Sequence, residues 1–547
     1  MVPFKGVASY STPFLVGALF AALTWAGRAG EKEDGKLAPL PPGIKVDDAV
    51  MRTLQAGPGM PGSIFQFRRQ LLEHPKMKGV LKSHLVANGG HENLALTRDR
   101  PMFMCFETYA GPMPGGAVTE EELFFGFFLE QMNGTLQVSP GFVELIAWDR
   151  ATEMYNFWEL VENVWHFRGD SNTILSDGMK INVGAEQPKF AGKIRCSGCH
   201  TLGGPVMKEL QAPHNDWWTK KDPLRKGKLQ LDARSADPAV KLAAQLFDNL
   251  TDASNLSEQV KKGIDRLIKA RAKQGVFAKQ LKLHLRSLFS TMEMNLVTDT
   301  VPFRTRKAGK EAVELPLDFF VDVRLAGKRK PIPVSFEVYQ KGLQQVKSRF
   351  APKEGNLQET HHAFVVPARS YIDNRILDVL VEEKLLDEEL IAAVLAVDFT
   401  TPVFSAKRAG LFRYVPDEAK NAAELREHLK AALKKAPKDE AAQELLANLT
   451  DPKRNAAFHR QKALALREVC VQAAKSPEII VGWLKLASQR RREVETAETA
   501  KHQQGNIVER GFRVIFPRYA VKLVPGHYYL DPETGQAMTR PAAKNAP

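Results

Sequence analysis

Five consecutive residues, Cys196-Ser197-Gly198-Cys199-His200, constrain this chain of 547 residues more than any other stretch. Two thiols about one helical turn apart can each add across a vinyl group of a haem, and the imidazole that follows them can reach the iron as its proximal ligand. Covalent attachment holds the porphyrin edge against the backbone, so even a loosely packed pocket keeps its cofactor. Competing chemistries need partners that the chain does not supply. A structural zinc would require two more Cys or His ligands at short, matching spacing, and His214 stands alone. A thioredoxin-like redox pair would sit in a βαβ context, whereas Thr201-Leu202-Gly203-Gly204-Pro205 follows here. The expectation is one covalent haem c on Cys196 and Cys199, with His200 on the iron.

The first thirty residues fit that chemistry. Lys5 gives a positive n-region, Phe14 to Trp25 an apolar h-region, and Ala26, Gly27 and Ala29 offer cleavage points. Residues 1–29 therefore read as a signal peptide, with an uncleaved amino-terminal anchor as the alternative, although the apolar run is short of the roughly 20 residues a bilayer span needs. No other stretch is long and apolar enough to cross a membrane. Export suits a c-type haem, which is attached on the outer side of the bacterial inner membrane, so a periplasmic location is expected.

Hydrophobic residues at 44% and charged residues at 26% describe a globular protein rather than a disordered one. Two of the four cysteines belong to the motif, so no disulfide framework holds the fold; Cys105 and Cys470 lie in apolar surroundings and read as buried thiols, with a bridge between them as the alternative. The formal charge of +14 is spread over basic runs such as Arg304–Lys310 and Arg490–Arg492. Such runs read either as solvated faces or as steering for an acidic redox partner. Nucleic acid is not an expected partner, because no recognition module is present.

Along the chain, residues 30–62 are rich in Pro and Gly and read as a linker. From Ile64 to about Val86 the apolar spacing is helical. Met102 to Tyr109 reads as a strand, and Thr119 with Glu122 suggests a capping box opening a helix that ends near Gly134. Phe142–Trp148, Glu153–Val161 and Val164–Arg168 are strand-like pieces separated by turn-forming residues and suggest an antiparallel meander; their aromatics could wall the haem pocket or simply pack a sheet. Beyond the motif the pattern is helical over 239–250, 258–273, 278–292 and 371–396, with extended character over 316–336. An Ala/Lys/Glu/Leu-rich stretch from 415 to 500 reads as a hairpin or bundle. The fold class is mainly α with a smaller antiparallel β portion before the haem motif, a multi-domain α+β chain. Its segments are an α+β domain (63–195), a haem-binding helical region (196–300), a mixed, mostly helical region (301–410), a helical bundle (411–505) and a β-like tail (506–547).

The run Cys199-His200-Thr201-Leu202-Gly203-Gly204-Pro205-Val206-Met207 resembles the proximal side of class I c-type cytochromes. In that family a proline soon after the motif supplies a carbonyl that holds the proximal imidazole, a role the resemblance gives to Pro205. The likeness covers about a dozen residues. The sixth iron ligand stays open between Met292 or Met294, His214, the His361-His362 pair and an open or water-bound position; Met207 is too near the motif to wrap around a porphyrin.

The functional expectation is an exported mono-haem cytochrome that passes single electrons to protein partners. One alternative is a haem enzyme, a peroxidase or an oxidase of small nitrogen compounds, with Glu209, His166 and Arg168 as available acid-base groups. Another is a haem-bearing binding or sensory scaffold, since the chain far exceeds one cytochrome domain. The absence of a second C-x-x-C-H argues strongly against a di-haem peroxidase.

Overall fold

The computed structural model describes residues 34–77, 79–87, 102–112, 121–132, 135–182, 200, 202–205, 241, 254–290, 294–299, 312–327, 329–346, 364–504, 521, 523–524 and 526–540. The expected signal over 1–29 lies outside them.

The amino-terminal part is built on a seven-stranded sheet in the order β1-β7-β6-β5-β4-β3-β2. Strands β2 (Val80–Ala87), β3 (Met102–Ala110), β4 (Leu123–Met132), β5 (Thr135–Asp149), β6 (Met154–Val161) and β7 (Val164–Asp170) form an antiparallel meander. The two-residue β1 (Lys36–Leu37) adds in parallel to β7. The expected strands at 102–109 and across 142–168 are present. The expected helix from Thr119 to Gly134 is not: Leu123–Met132 is β4, paired on both sides. The physical reason is double burial. Phe125 and Phe127 face one layer and Phe124 the other, so the apolar residues run continuously and imitate the face of a helix.

Two further expectations are corrected. The helix expected from Ile64 to Val86 stops early: α2 (Ile64–Glu73) ends before Pro75, and the chain re-emerges as β2. The expected linker over 30–62 carries β1 and α1 (Ala49–Ala56). Asp48 caps α1 by accepting from Met51 N (2.8 Å) and also accepts from Trp158 Nε1 (2.8 Å) and Asn156 Nδ2 (2.9 Å) of β6. With α2, whose Ser63–Gln66 capping box opens it, α1 covers one sheet face over Cys105, Leu145, Trp158 and Trp165.

The other face, carrying Phe106, Phe124, Ile146, Tyr155 and Phe157, joins a buried cluster that continues into the helices. After β7 comes α3 (Ser171–Asn182), and then the body: α4 (Ser254–Lys273), α5 (Val276–Lys279), α6 (Leu281–Phe289), α7 (Val323–Ala326), α8 (Phe336–Gln345), α9 (Tyr371–Glu382) and α10 (Glu388–Ala396). Next are α11 (Ala406–Leu411), α12 (Ala422–Lys434), α13 (Glu440–Thr450), α14 (Ala456–Ala473) and α15 (Pro477–Gln504). The helical stretch expected over 371–396 is two helices, because Asp387 starts a new one with a cap to Leu390 N (2.8 Å). Three two-stranded sheets complete the body: β8 (Met294–Val297) with β11 (Val366–Arg369), β9 (Ala312–Leu315) with β10 (Ile332–Ser335), and β12 (His527–Leu530) with β13 (Ala537–Arg540). The same buried cluster reaches from Tyr155 of the sheet through Leu267 and Leu285 to Trp483 of α15, so the helical segments pack as one body against the sheet. The chain is an α+β protein, mainly helical, with its antiparallel sheet ahead of His200. Cys105 and Cys470 are buried free thiols, one in each cluster. Among the described residues no helix is long and apolar enough to cross a membrane.

Candidate haem site

His200 and Leu202–Pro205 form a short loop wedged between the sheet and α4. Leu202 is buried in the shared cluster, and His200 is only 6% exposed. The loop closes on itself: Gly203 N donates to the His200 carbonyl at 2.7 Å. Gly203 has φ +69°, and a Cβ there would lie 2.1 Å from the Ser171 carbonyl oxygen at the start of α3. Only glycine meets both demands.

This loop orients the imidazole. His200 Nδ1 lies 2.8 Å from the Gly204 carbonyl oxygen. A carbonyl can only accept, so Nδ1 carries the hydrogen and donates it. Nε2 is then the nitrogen with the in-plane lone pair, the tautomer an iron ligand needs. The carbonyl that meets the imidazole is that of Gly204, one residue before the Pro205 to which the resemblance gives the role. Pro205 instead packs at α4, where a Cβ on Gly263 would meet its ring at 3.0 Å and the Tyr155 hydroxyl at 2.9 Å. The Phe157 ring of β6 lies 5.4 Å from the imidazole at a tilt of 59°.

Strand register shows what else shares the Phe157 face. One step along the strands, His84, Phe106, Gly126, Glu144, Glu159 and His166 align across β2 to β7. Gly126 places no side chain in the middle of that row. Glu159 is buried and accepts from Arg168 Nε at 2.7 Å. Burial, helped by the Lys82 charge, pulls His84 below the usual histidine range, so it is neutral at pH 7. The structure therefore brings His166 and Arg168, two of the groups read from sequence as available acid-base residues, to the sheet face on which His200 rests. Cys196, Cys199, Met207, Glu209, His214, Met292 and His361-His362 lie outside the described residues. Met294 opens β8, paired with Arg369 of β11.

Behind the loop lies a group that sequence reasoning missed. Arg271 of α4 is 2% exposed; its Nη1 donates to the Leu202 carbonyl (2.8 Å) and its Nη2 to the Ser171 carbonyl (3.1 Å). Burial lowers its pKa to about 10, opposed by the charge of Asp170, so it stays a cation at neutral pH. The signal was present as a helical stripe, Ile264-Leu267-Ile268-Arg271, that puts Arg271 on the buried face. Beside it His284 of α6 is fully buried against Phe277 (ring centroids 4.6 Å), and neither ring nitrogen has a hydrogen-bond partner among the described residues. Burial, with the Arg271 charge in the same direction, pushes its pKa down to about 3. Among the described residues no group of three or more His, Cys, Asp or Glu side chains is gathered as a metal site.

No family model matches this chain, and no curated protein or solved structure proves similar to it.

Proposed function

We propose that the chain is an exported mono-haem cytochrome, carrying haem c through thioethers to Cys196 and Cys199, with His200 as axial ligand, and passing single electrons. The observation that carries this reading is the His200–Gly204 hydrogen bond: a buried imidazole, one residue past a C-x-x-C, is held in the tautomer that an iron requires. When bound, the haem supplies a one-electron couple. The chain's own residues do the rest. The Gly204 carbonyl fixes the ring and raises its basicity, Phe157 covers one flank of it, and Gly203 lets the loop close.

A second reading, catalysis at an open iron position, is favoured by one specific observation. Glu144, Glu159, His166 and Arg168 lie on the Phe157 face, where a proton-transferring group would be useful. Optical spectra decide between the two. Electron transfer predicts a six-coordinate, low-spin protein in both oxidation states. A high-spin ferrous form that binds carbon monoxide rapidly, with peroxide turnover that His200→Ala abolishes, would establish catalysis instead. Denatured, acid-extracted polypeptide with no retained pigment and the mass of the bare chain would refute both.

A further inference from the structure

We infer that Arg271 is a positioning residue for the haem loop and that its buried charge raises the reduction potential of the bound haem; this rests on the haem reading above. Three observations carry it. First, the guanidinium spans the loop's two anchor points. Nη1 holds the Leu202 carbonyl, between His200 and the Gly204 carbonyl that orients it, and Nη2 holds the Ser171 carbonyl, against which Gly203 is pressed. The planar fork of arginine does this with one rigid group, which a neutral or flexible side chain cannot reproduce.

Second, the cation is buried with little to offset it. Its hydrogen bonds go to two carbonyls, its Nε has no partner among the described residues, and Asp170 is the carboxylate whose charge acts on it. Burying such a charge is expensive, and mere packing of α4 would be served better by an apolar residue. Third, the neighbouring His284 is neutral, so it neither adds to nor cancels the charge. One-electron reduction lowers the positive charge on ferric haem by one. A fixed cation held in a low-dielectric site therefore favours the reduced form.

The test uses full-length, haem-loaded protein titrated potentiometrically with dithionite and ferricyanide. Arg271→Gln removes the cation; the ratio of reduced to oxidised haem at a fixed potential should fall tenfold or more, about 59 mV for one electron. Asp170→Asn removes the offsetting carboxylate but keeps an oxygen to accept from Asn172 N and Thr173 N at the start of α3; its potential should rise. If Arg271→Gln does not fold, Asp170→Asn alone decides. An alkaline pyridine spectrum of the denatured parent is recorded first. Absence of thioether-bound haem in the parent overturns the functional reading itself. Covalent haem with an unmoved potential in either folded variant overturns the role of Arg271 and leaves that reading standing.

Discussion

Substituting Gly203 by alanine tests the loop that orients His200. The backbone cost of placing an alanine at φ +69° is about 1–2 kcal/mol. The steric term is larger in kind: the new Cβ would lie 2.1 Å from the Ser171 carbonyl oxygen and 2.9 Å from its carbon, and both are backbone atoms that cannot rotate away. Relief requires the loop to leave α3, which breaks the Gly203–His200 turn and the Arg271 bridge, at about 1 kcal/mol net for each hydrogen bond. Together these give about 3–5 kcal/mol, or roughly 100- to 4,000-fold in the equilibrium for an ordered loop. Gly275→Ala is the internal control. Gly275 has φ +64°, and its added Cβ meets nothing within 4 Å, so it bears the backbone cost alone. Urea unfolding should place Gly203→Ala at least about 2 kcal/mol below Gly275→Ala, and the visible spectrum of the haem-loaded Gly203→Ala protein should show altered axial ligation. Equal stabilities for the two variants, with an unchanged spectrum, would refute the reasoning.

Three other predictions follow from the same geometry. His284→Leu should stabilise the protein by about 1 kcal/mol or more, because it removes two buried ring nitrogens that lack partners among the described residues; a lower urea midpoint would contradict this. Asp48 is buried, and burial raises its pKa from 3.8 to about 6 against the donors from Met51, Trp158 and Asn156. The folded state thus binds the proton more tightly than the unfolded chain, and stability should fall by about 3 kcal/mol as pH rises from about 4 through about 6; Asp48→Asn should lack that component in stability curves taken across this range. Glu159→Gln leaves Arg168 as a largely buried cation without its carboxylate and should cost about 3 kcal/mol in chemical denaturation, whereas a loss below about 0.5 kcal/mol would mean the pair is worth no more than a surface one.

Several elements were legible because their signals are local. The strands over 142–168 are set apart by turn-forming residues, and the bundle from α12 to α15 has helical periodicity with Asn421, Asp439 and Asn455 accepting from backbone amides at the helix starts. The misread elements differ in cause. Over Leu123–Phe127 of β4 the period-2 signal vanishes because both faces are buried, a fact that depends on α1, α2 and α4 arriving from elsewhere. Residues 30–62 read as a linker because they are rich in Pro and Gly, while Asp48 finds its partners in β6, more than a hundred residues away.

The sequence alone determined the spacing of two thiols and an imidazole and the glycines able to turn the loop after them. Those are properties of neighbouring residues, set by bond lengths and backbone preferences. Only the tertiary structure decided that Gly204 rather than Pro205 meets the imidazole, that Phe157 flanks it, and that Arg271 ties the loop to α3. Each of those depends on which surfaces are buried against one another, and burial is a property of the whole folded chain.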